Sequence, residues 1–383
     1  MKTSYIGKYL EEMYVNGFSL LKQAPEIITP YLRRFIRLLA LPYCYFFLIN
    51  WQECKISKLR VISDLLCIFF KLKYYPYNYA LCRLWEKDRS TWKYYYGSIY
   101  EPYQRRRLNK EVQRREYSII FDDKEVCYQI CSSANIPLPK QYGCIDPGED
   151  YLKKIEMIFS NCDCRKIIIK PVRGSGGKDI VLAYKYGNQI EMRKQNHVLA
   201  LDQFKLGYRS VVQEYLEQHP SLLRFSKSFN TMRVVTLLTK ESEVLIIGAL
   251  MRFGVGDAYI DNTSSGGIAV GIKLDNGELN SIAYDFDCKV YELHPTTKIA
   301  FAGFVIPYWT EVIDLAKTIQ RHFTYYKLLG LDIGITPNGP VLIEINPSHD
   351  NVGLEQSYGP ILKNERVLVE YLRYDLLVNN LFK

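Results

Sequence analysis

Residues 330–348 read GLDIGITPNGPVLIEINPS. Two β-branched runs, Leu331 to Thr336 and Val341 to Asn346, flank Pro337-Asn338-Gly339-Pro340, the pattern of an antiparallel hairpin. Glu344 and Asn346 are two apart on one strand and share a face, while Asp332 lies on the partner strand. Two carboxylates and an amide oxygen converging among Ile, Leu and Val repel one another unless a cation sits between them. All three are hard oxygen donors, which suits Mg²⁺ better than zinc. The competing reading is a set of polar residues on the solvated face of an edge hairpin. The metal reading makes a demand on register, because a loop of even length turns Asp332 and Glu344 to opposite faces. An odd-length closure is therefore expected, pairing Thr336 with Pro340 or Ile335 with Val341, with Asn338-Gly339 supplying the positive φ.

Farther back, residues 167–182 read IIIKPVRGSGGKDIVL. Lys166 to Pro171 and Asp179 to Tyr184 have strand composition, with the glycines between them. This is not a Walker A loop, since Val172 stands where the first glycine belongs and Asp179 follows Gly177-Lys178 in place of Ser or Thr. Nor is it a dinucleotide fingerprint, which needs a helix where a strand follows here. It is either a plain turn or a flap that offers N–H groups to a polyphosphate, with Lys170 at the end of the first strand. Ser210 to Tyr215, Thr231 to Thr239 and Val244 to Met251 are further expected strands, the last two a hairpin. Asp122 or Asp123 is expected to cap a helix running to about Ser133, ended by Pro137 and Pro139. Val312, Leu315, Ile319 and Phe323 predict a helix from Thr310 to Leu329, with Thr310 as its cap and Gly330 just past its end.

With 383 residues, 48% of them hydrophobic and 24% charged, the chain can bury at least one full core, and disorder, collagen-like repetition and small disulfide scaffolds are excluded. None of the ten cysteines falls in a CxxC pair, so neither structural zinc nor a disulfide framework is expected. The opening MKTSYIGKYLEEMY has no apolar core and no small-residue cleavage site, so a reducing cytoplasmic setting is the expectation. Net charge is +9, but residues 1–116 hold 21 Lys+Arg against 10 Asp+Glu and the rest 29 against 31, so the basicity belongs to the N-terminal third. There Leu59, Ile62, Leu65, Leu66, Phe69 and Phe70 recur at helical spacing, which fits a core-facing helix or a surface that docks on a membrane. The apolar runs are too short to span a bilayer, which takes about 20 residues. Arg105–Arg107 and Arg114–Arg115 come with no nucleic-acid motif, so no nucleic-acid partner is expected. The five histidines stand near no GxSxG-type elbow.

Lys124, Lys170-Pro171, the loop Arg173 to Lys178, VVQEYLE (211–217), NTMRVVT (230–236), MRFGVG (251–256), DNTSSGG (261–267) and Asp332 with Glu344-Ile345-Asn346 follow one another in an order and spacing that resemble the ATP-grasp ligase superfamily. Within it the chain is most similar to the sugar-transfer-associated ATP-grasp family, over roughly residues 117–360. The resemblance implies an α+β ATP-grasp fold, two subdomains gripping ATP, behind a basic, mainly helical region over 1–116; the subdomains would be 117–213 and 214–383. It implies that Lys124 and Lys170 contact the α and β phosphates, and that Gly174, Ser175, Gly176 and Gly177 close over the β and γ phosphates. Gln213, Glu214, Tyr215 and Leu216 would be the adenine hinge. Arg233 and Arg252 would be the catalytic arginines, and Asp332, Glu344 and Asn346 the magnesium ligands. The family's HPDTG is His294-Pro295-Thr296-Thr297-Lys298 here, so two of five positions depart and their role is left open.

The activity implied is an ATP- and Mg²⁺-dependent joining of a small carboxylate to an amine through an acyl phosphate, as an amino acid joined to an amino sugar in surface polysaccharide biosynthesis. The setting would be cytoplasmic, with peripheral membrane contact through residues 1–116. A phosphotransferase on the same fold and a non-catalytic ATP-binding component of a glycan assembly complex are the alternatives. Any of these sites needs cations for the triphosphate, arginines aimed at charge that develops in transfer, and a lid that excludes water.

Overall fold

The structure, a computed structural model, describes residues 32, 35, 38 and 40–382, except 75, 98–101, 175, 178, 188, 195–196, 202–204, 258–260, 262 and 264–265. Two units result, one formed by residues 1–112 with 350–383 and the other by residues 113–349. The C-terminal segment, read from sequence as the end of the second subdomain, thus groups with the N-terminal region.

The described part of the first unit is helical and its core holds Val61, Leu65, Ile68, Tyr79, Leu84 and Trp92, with Leu381 packed against it. Ser57 caps the helix Lys58–Leu66, which continues as a π-helix over Cys67–Leu72 and stops at Lys73, where φ is +60°. The six apolar residues expected to face the core divide here. Leu65 and Phe69 are buried, whereas Leu59, Ile62, Leu66 and Phe70 are exposed.

The second unit carries thirteen strands among its described residues. In chain order these are β1 (Gln141–Ile145), β2 (Lys166–Pro171), β3 (Val181–Tyr186), β4 (Gln189–Lys194), β5 (His197–Val198), β6 (Ser210–Glu214), β7 (Thr231–Leu238), β8 (Val244–Phe253), β9 (Ile268–Ile272), β10 (Leu279–Asp285), β11 (Val290–Tyr291), β12 (Leu328–Thr336) and β13 (Gly339–Asn346). They make a six-stranded sheet ordered β1-β6-β2-β3-β4-β5 and a seven-stranded sheet ordered β11-β10-β9-β8-β7-β12-β13. The helix Tyr151–Ser160 sends Ile155 and Phe159 into the core of the first sheet. The helix Trp309–His322 lays Val312, Leu315, Ala316 and Ile319 on the second.

Three expectations change. The long helix ends at His322, and its flanking residue is Tyr308, at φ +58° and without a side-chain cap, so Thr310 lies inside it. Gly330 belongs to β12, where a Cβ would stand 2.9 Å from the His349 ring. Residues 121–136, placed by sequence with the first subdomain, pack Phe121, Cys131 and Ile136 into the core of the second sheet. Cys162 and Cys164 form a disulfide across one intervening residue, and the other eight cysteines stand outside disulfides.

The hairpin register departs from expectation in an informative way. Thr336 pairs with Gly339 and Ile333 with Leu342, an even, two-residue closure that by itself would set Asp332 opposite Ile343. A β-bulge intervenes, one extra residue on β13, and from there Asp332 pairs with Glu344 and Gly330 with Asn346. Leu342 and Ile345, three apart, both face the core because Ile343 is the residue left over.

Candidate active site

Asp123 caps the helix Lys124–Ser133, its Oδ1 accepting from the N–H groups of Glu125 and Val126 at 3.2 Å each. The cap fixes Lys124 at the first helical position, where its N–H donates to Val172 O at 3.1 Å. Its Nζ donates to Gly174 O at 2.9 Å and pairs with Glu344 Oε1 at 3.0 Å. One side chain thus joins the glycine loop of the first sheet to the carboxylate strand of the second. Lys124, Lys170, Gln213 and Glu344 line a cleft of about 30 Å³ together with Phe121 and Tyr128. Burial lowers the Lys170 ammonium to about 8, with Glu344 opposing the shift and Lys124 adding to it.

The loop has the conformation its glycines permit, with Gly174, Gly176 and Gly177 at φ +147°, +73° and +70°. Ser175 lies outside the described residues, as does Lys178. The expected hinge residues do not stay together. Gln213 lines the cleft, while the Glu214 carboxylate accepts from Lys140 N–H at 3.3 Å. Tyr215 lines a separate open groove of about 400 Å³ with Gln218 and Phe229, and Lys166 Nζ lies 3.3 Å from its ring centre. Leu216 is half-buried.

Asp332 is buried between two guanidinium groups. Arg233 on β7 holds it through both oxygens, Nε to Oδ1 at 2.6 Å and Nη2 to Oδ2 at 3.1 Å, and Arg252 on β8 adds Nη2 to Oδ1 at 2.8 Å. Burial pushes this carboxyl up, but Arg233 and Arg252 outweigh it and hold the group at about 2. Asn346 donates from Nδ2 to Asp332 Oδ2 at 3.0 Å. The three expected metal ligands are therefore linked, Asp332 to Asn346 by hydrogen bond and Asp332 to Glu344 by strand pairing. Among the described residues no three His, Cys, Asp or Glu side chains form a metal cluster. Two carboxylates and an amide oxygen are a donor type that fits Mg²⁺, and each carboxylate is paired with cationic side chains, Asp332 with Arg233 and Arg252 and Glu344 with Lys124.

Two further groups shape the site. Asp261, the first residue of the DNTSSGG segment, is buried and accepts from Thr231 N–H at 2.6 Å and Thr231 Oγ1 at 2.5 Å. Thr231 Oγ1 in turn accepts from Arg252 Nη2 at 2.7 Å. The departed HPDTG position also has a structural role. His294 Nδ1 accepts from the N–H groups of Thr296 and Thr297 at 3.3 Å each, which places its proton on Nε2, 3.0 Å from Gly254 O. Thr296 Oγ1 accepts from Gly256 N–H at 2.7 Å. Burial holds the His294 pKa below its usual value. This turn clamps the glycine-rich segment that follows Arg252, through a hydroxyl that Thr296 supplies where the family pattern has Asp. Single-sequence reading has no signal for that clamp, because His294 and Gly254 are far apart in the chain.

The profile of the sugar-transfer-associated ATP-grasp family matches residues 103–370. None of the curated proteins compared with the chain matches it. Among solved structures it is similar to a RimK domain protein ATP-grasp from Sphaerobacter thermophilus (13% identity, 70% of this chain and 72% of that one, TM-score 0.37). It is also similar to D-alanyl-alanine synthetase A from Vibrio cholerae (12% identity, 69% and 67%, TM-score 0.39). A third similarity is to N5-carboxyaminoimidazole ribonucleotide synthetase from Thermotoga maritima (12% identity, TM-score 0.33), where 60% of this chain spans only 42% of the other.

Proposed function

Since the chain belongs to the sugar-transfer-associated ATP-grasp family, we propose that it is an ATP-dependent carboxylate–amine ligase. The observation that carries the reading is the pairing of Asp332 with Glu344 across β12 and β13, each carboxylate held by side chains proposed to bind phosphate: Arg233 and Arg252 on the one, Lys124 on the other. Lys124 and Lys170 would neutralise the α and β phosphates of ATP, and the N–H groups of the loop from Gly174 to Gly177 would cover the β and γ phosphates. Gln213 would meet the nucleotide from β6 within the same cleft, and of the other residues the resemblance assigns to the hinge, Glu214 and Leu216 would follow it in the chain while Tyr215 faces the separate groove.

Arg233 and Arg252 would stabilise the charge that shifts as the γ-phosphoryl group passes to the substrate carboxylate, giving an acyl phosphate and ADP. Attack by the amine then forms the amide and expels phosphate. Asp332, Glu344 and Asn346 would hold Mg²⁺, which supplies charge neutralisation on the polyphosphate. Thr231 and Asp261 keep Arg252 in place, and the glycine loop excludes water from the acyl phosphate. The substrates we propose are an amino acid or similar acid and an amino sugar or small amine of surface polysaccharide biosynthesis, met in the cytoplasm, where ATP is supplied.

The test is ADP release from a panel of acids and amines supplied singly and in pairs, with mass spectrometry of products and hydroxylamine trapping of the acyl phosphate. Release that needs both partners and yields an amide is the expected result. A stable phosphorylated product from one partner alone would assign a phosphotransferase, and ATP binding without turnover on any pair a binding component.

A further inference from the structure

We propose that the outward face of the helix over residues 58–72 docks on an anionic membrane surface. The assignment is independent of the ligase reading. On its inner side this helix buries Val61, Leu65, Ile68, Phe69 and Leu72. The other side carries Leu59, Ile62, Leu66 and Phe70, which are 80%, 42%, 42% and 59% exposed. Intervals of three, four and four keep these residues on one helical face. The helix is thus apolar on two sides and only one of them has been given a core, and a run of four large apolar side chains marks an interaction surface more than it marks scattered exposure.

The charge around this face decides what covers it. Between residues 55 and 73 the cations are Lys55, Lys58, Arg60, Lys71 and Lys73, and the one acid is Asp64. Asp64 is buried, accepts from Tyr79 Oη at 2.8 Å and pairs with Arg89. Every charge the helix presents to solvent is therefore positive. Protein interfaces are enriched in aromatic residues, Met and Arg and depleted in Lys, whereas three of these four apolar side chains are aliphatic and four of the five cations are lysines. A ridge of Leu, Ile and Phe bordered by lysines is the composition that lies in the plane of a bilayer interface, apolar side chains among the acyl chains and cations at the phosphates. Among the described residues no helix is long and apolar enough to cross a membrane, so the contact is peripheral.

The full chain, sedimented with vesicles of phosphatidylcholine alone or mixed with phosphatidylglycerol, tests this at low and high salt. Binding to the anionic vesicles should exceed binding to the neutral ones by roughly tenfold or more and weaken as salt rises. Ile62→Asp combined with Phe70→Asp should reduce binding by about tenfold or more, with circular dichroism unchanged and the thermal midpoint only modestly lowered, since both side chains are partly exposed. Should the double variant misfold, the lipid and salt dependence of the wild-type chain decides the matter. Equal binding to both vesicle types, binding to neither, or anionic binding that a folded double variant retains would each overturn the proposal. So would a dimer of the wild-type chain that the same two substitutions abolish, since the face would then belong to a second copy.

Discussion

Both oxygens of Asp332 are engaged by Arg233 and Arg252, so the proposed binding of Mg²⁺-ATP at Asp332 would have to exchange part of this network. Arg252 holds Asp332, Thr231 and Asp261 at once, and it heads a segment clamped by His294 and Thr296. Its proposed role is in transfer, so Arg252→Ala should lower turnover by roughly 10² or more and change ATP affinity little, as removal of one transition-state donor does. Steady-state kinetics beside equilibrium nucleotide binding check this, and a large loss of affinity with turnover preserved would reassign the residue. Lys170 carries a second expectation. Because burial lowers its pKa to about 8, the free protein holds it charged below that pH and neutral above. Nucleotide binding calls for the charged form, so above pH 8 binding must take up a proton and affinity should fall, by up to about tenfold per pH unit. Calorimetry in buffers of different ionisation enthalpy reads the uptake directly, and flat affinity from pH 7 to 9 would remove Lys170 from phosphate binding.

Among the elements, β12 does most to assemble the site. It is buried along its whole length between β7 and β13, and it brings Asp332 beside Arg233 on one side and Glu344 on the other. Two of its positions leave no room for a side chain. At Gly334 a Cβ would stand 2.3 Å from Phe229 Cε1, and at Gly330 it would meet the His349 ring. Gly334→Ala should cost about 1–3 kcal/mol of stability, by overpacking, and more than the same change at exposed Gly207, where a Cβ meets nothing. Denaturant melts of the two variants check the contrast. The bulge at Ile343 belongs to this scale too: with the two-residue turn alone, β13 would point Glu344 away from Asp332.

Across the whole molecule, the C-terminal segment closes the first unit through one buried carboxylate. Glu355 accepts from the N–H groups of Tyr96 at 2.7 Å and Gly97 at 3.0 Å, and from Asn78 Nδ2 at 3.3 Å. Glu355→Ala leaves three donors unpaired and should destabilise this unit by about 2–4 kcal/mol, read as a lower thermal midpoint. Burial without a countercharge raises the Glu355 pKa to about 8, although the backbone donors pull it down. The folded state therefore retains a proton that the unfolded chain gives up near its ordinary carboxylate value. This contribution to stability is complete in acid and is lost as pH rises through about 8. Comparing melts of the wild-type and Glu355→Ala chains from pH 5 to 9 tests it: their difference in stability should shrink toward high pH, and a constant or widening difference would contradict the assignment.

The sequence by itself determined the local features whose causes are local. A cap at Asp122 or Asp123 reads from the sequence because a short carboxylate ahead of a helix finds free N–H groups, and the structure selects Asp123; β2 keeps its expected bounds because it is a β-branched run ended by Pro171, and the loop of 174–177 reads as a turn from its glycines. The family also follows from residue order alone, since Lys170, Arg233, Arg252, Asp332 and Glu344 occur at matching intervals. The face of the long helix also follows from its spacing, since Val312, Leu315, Ile319 and Phe323 are all buried, whereas tertiary structure decided which face a residue turns where the run is apolar on both sides. Asp332 meets Glu344 only through a bulge, and whether Leu342 or Ile343 packs inward is invisible in a run where both are apolar. For the same reason Leu65 is buried and Leu66 exposed, although they are adjacent and identical in type. The clamp of His294 on Gly254 and the return of Glu355 to Tyr96 join distant parts of the chain, and contacts of that kind are fixed by packing, where the pattern along a single sequence carries no signal.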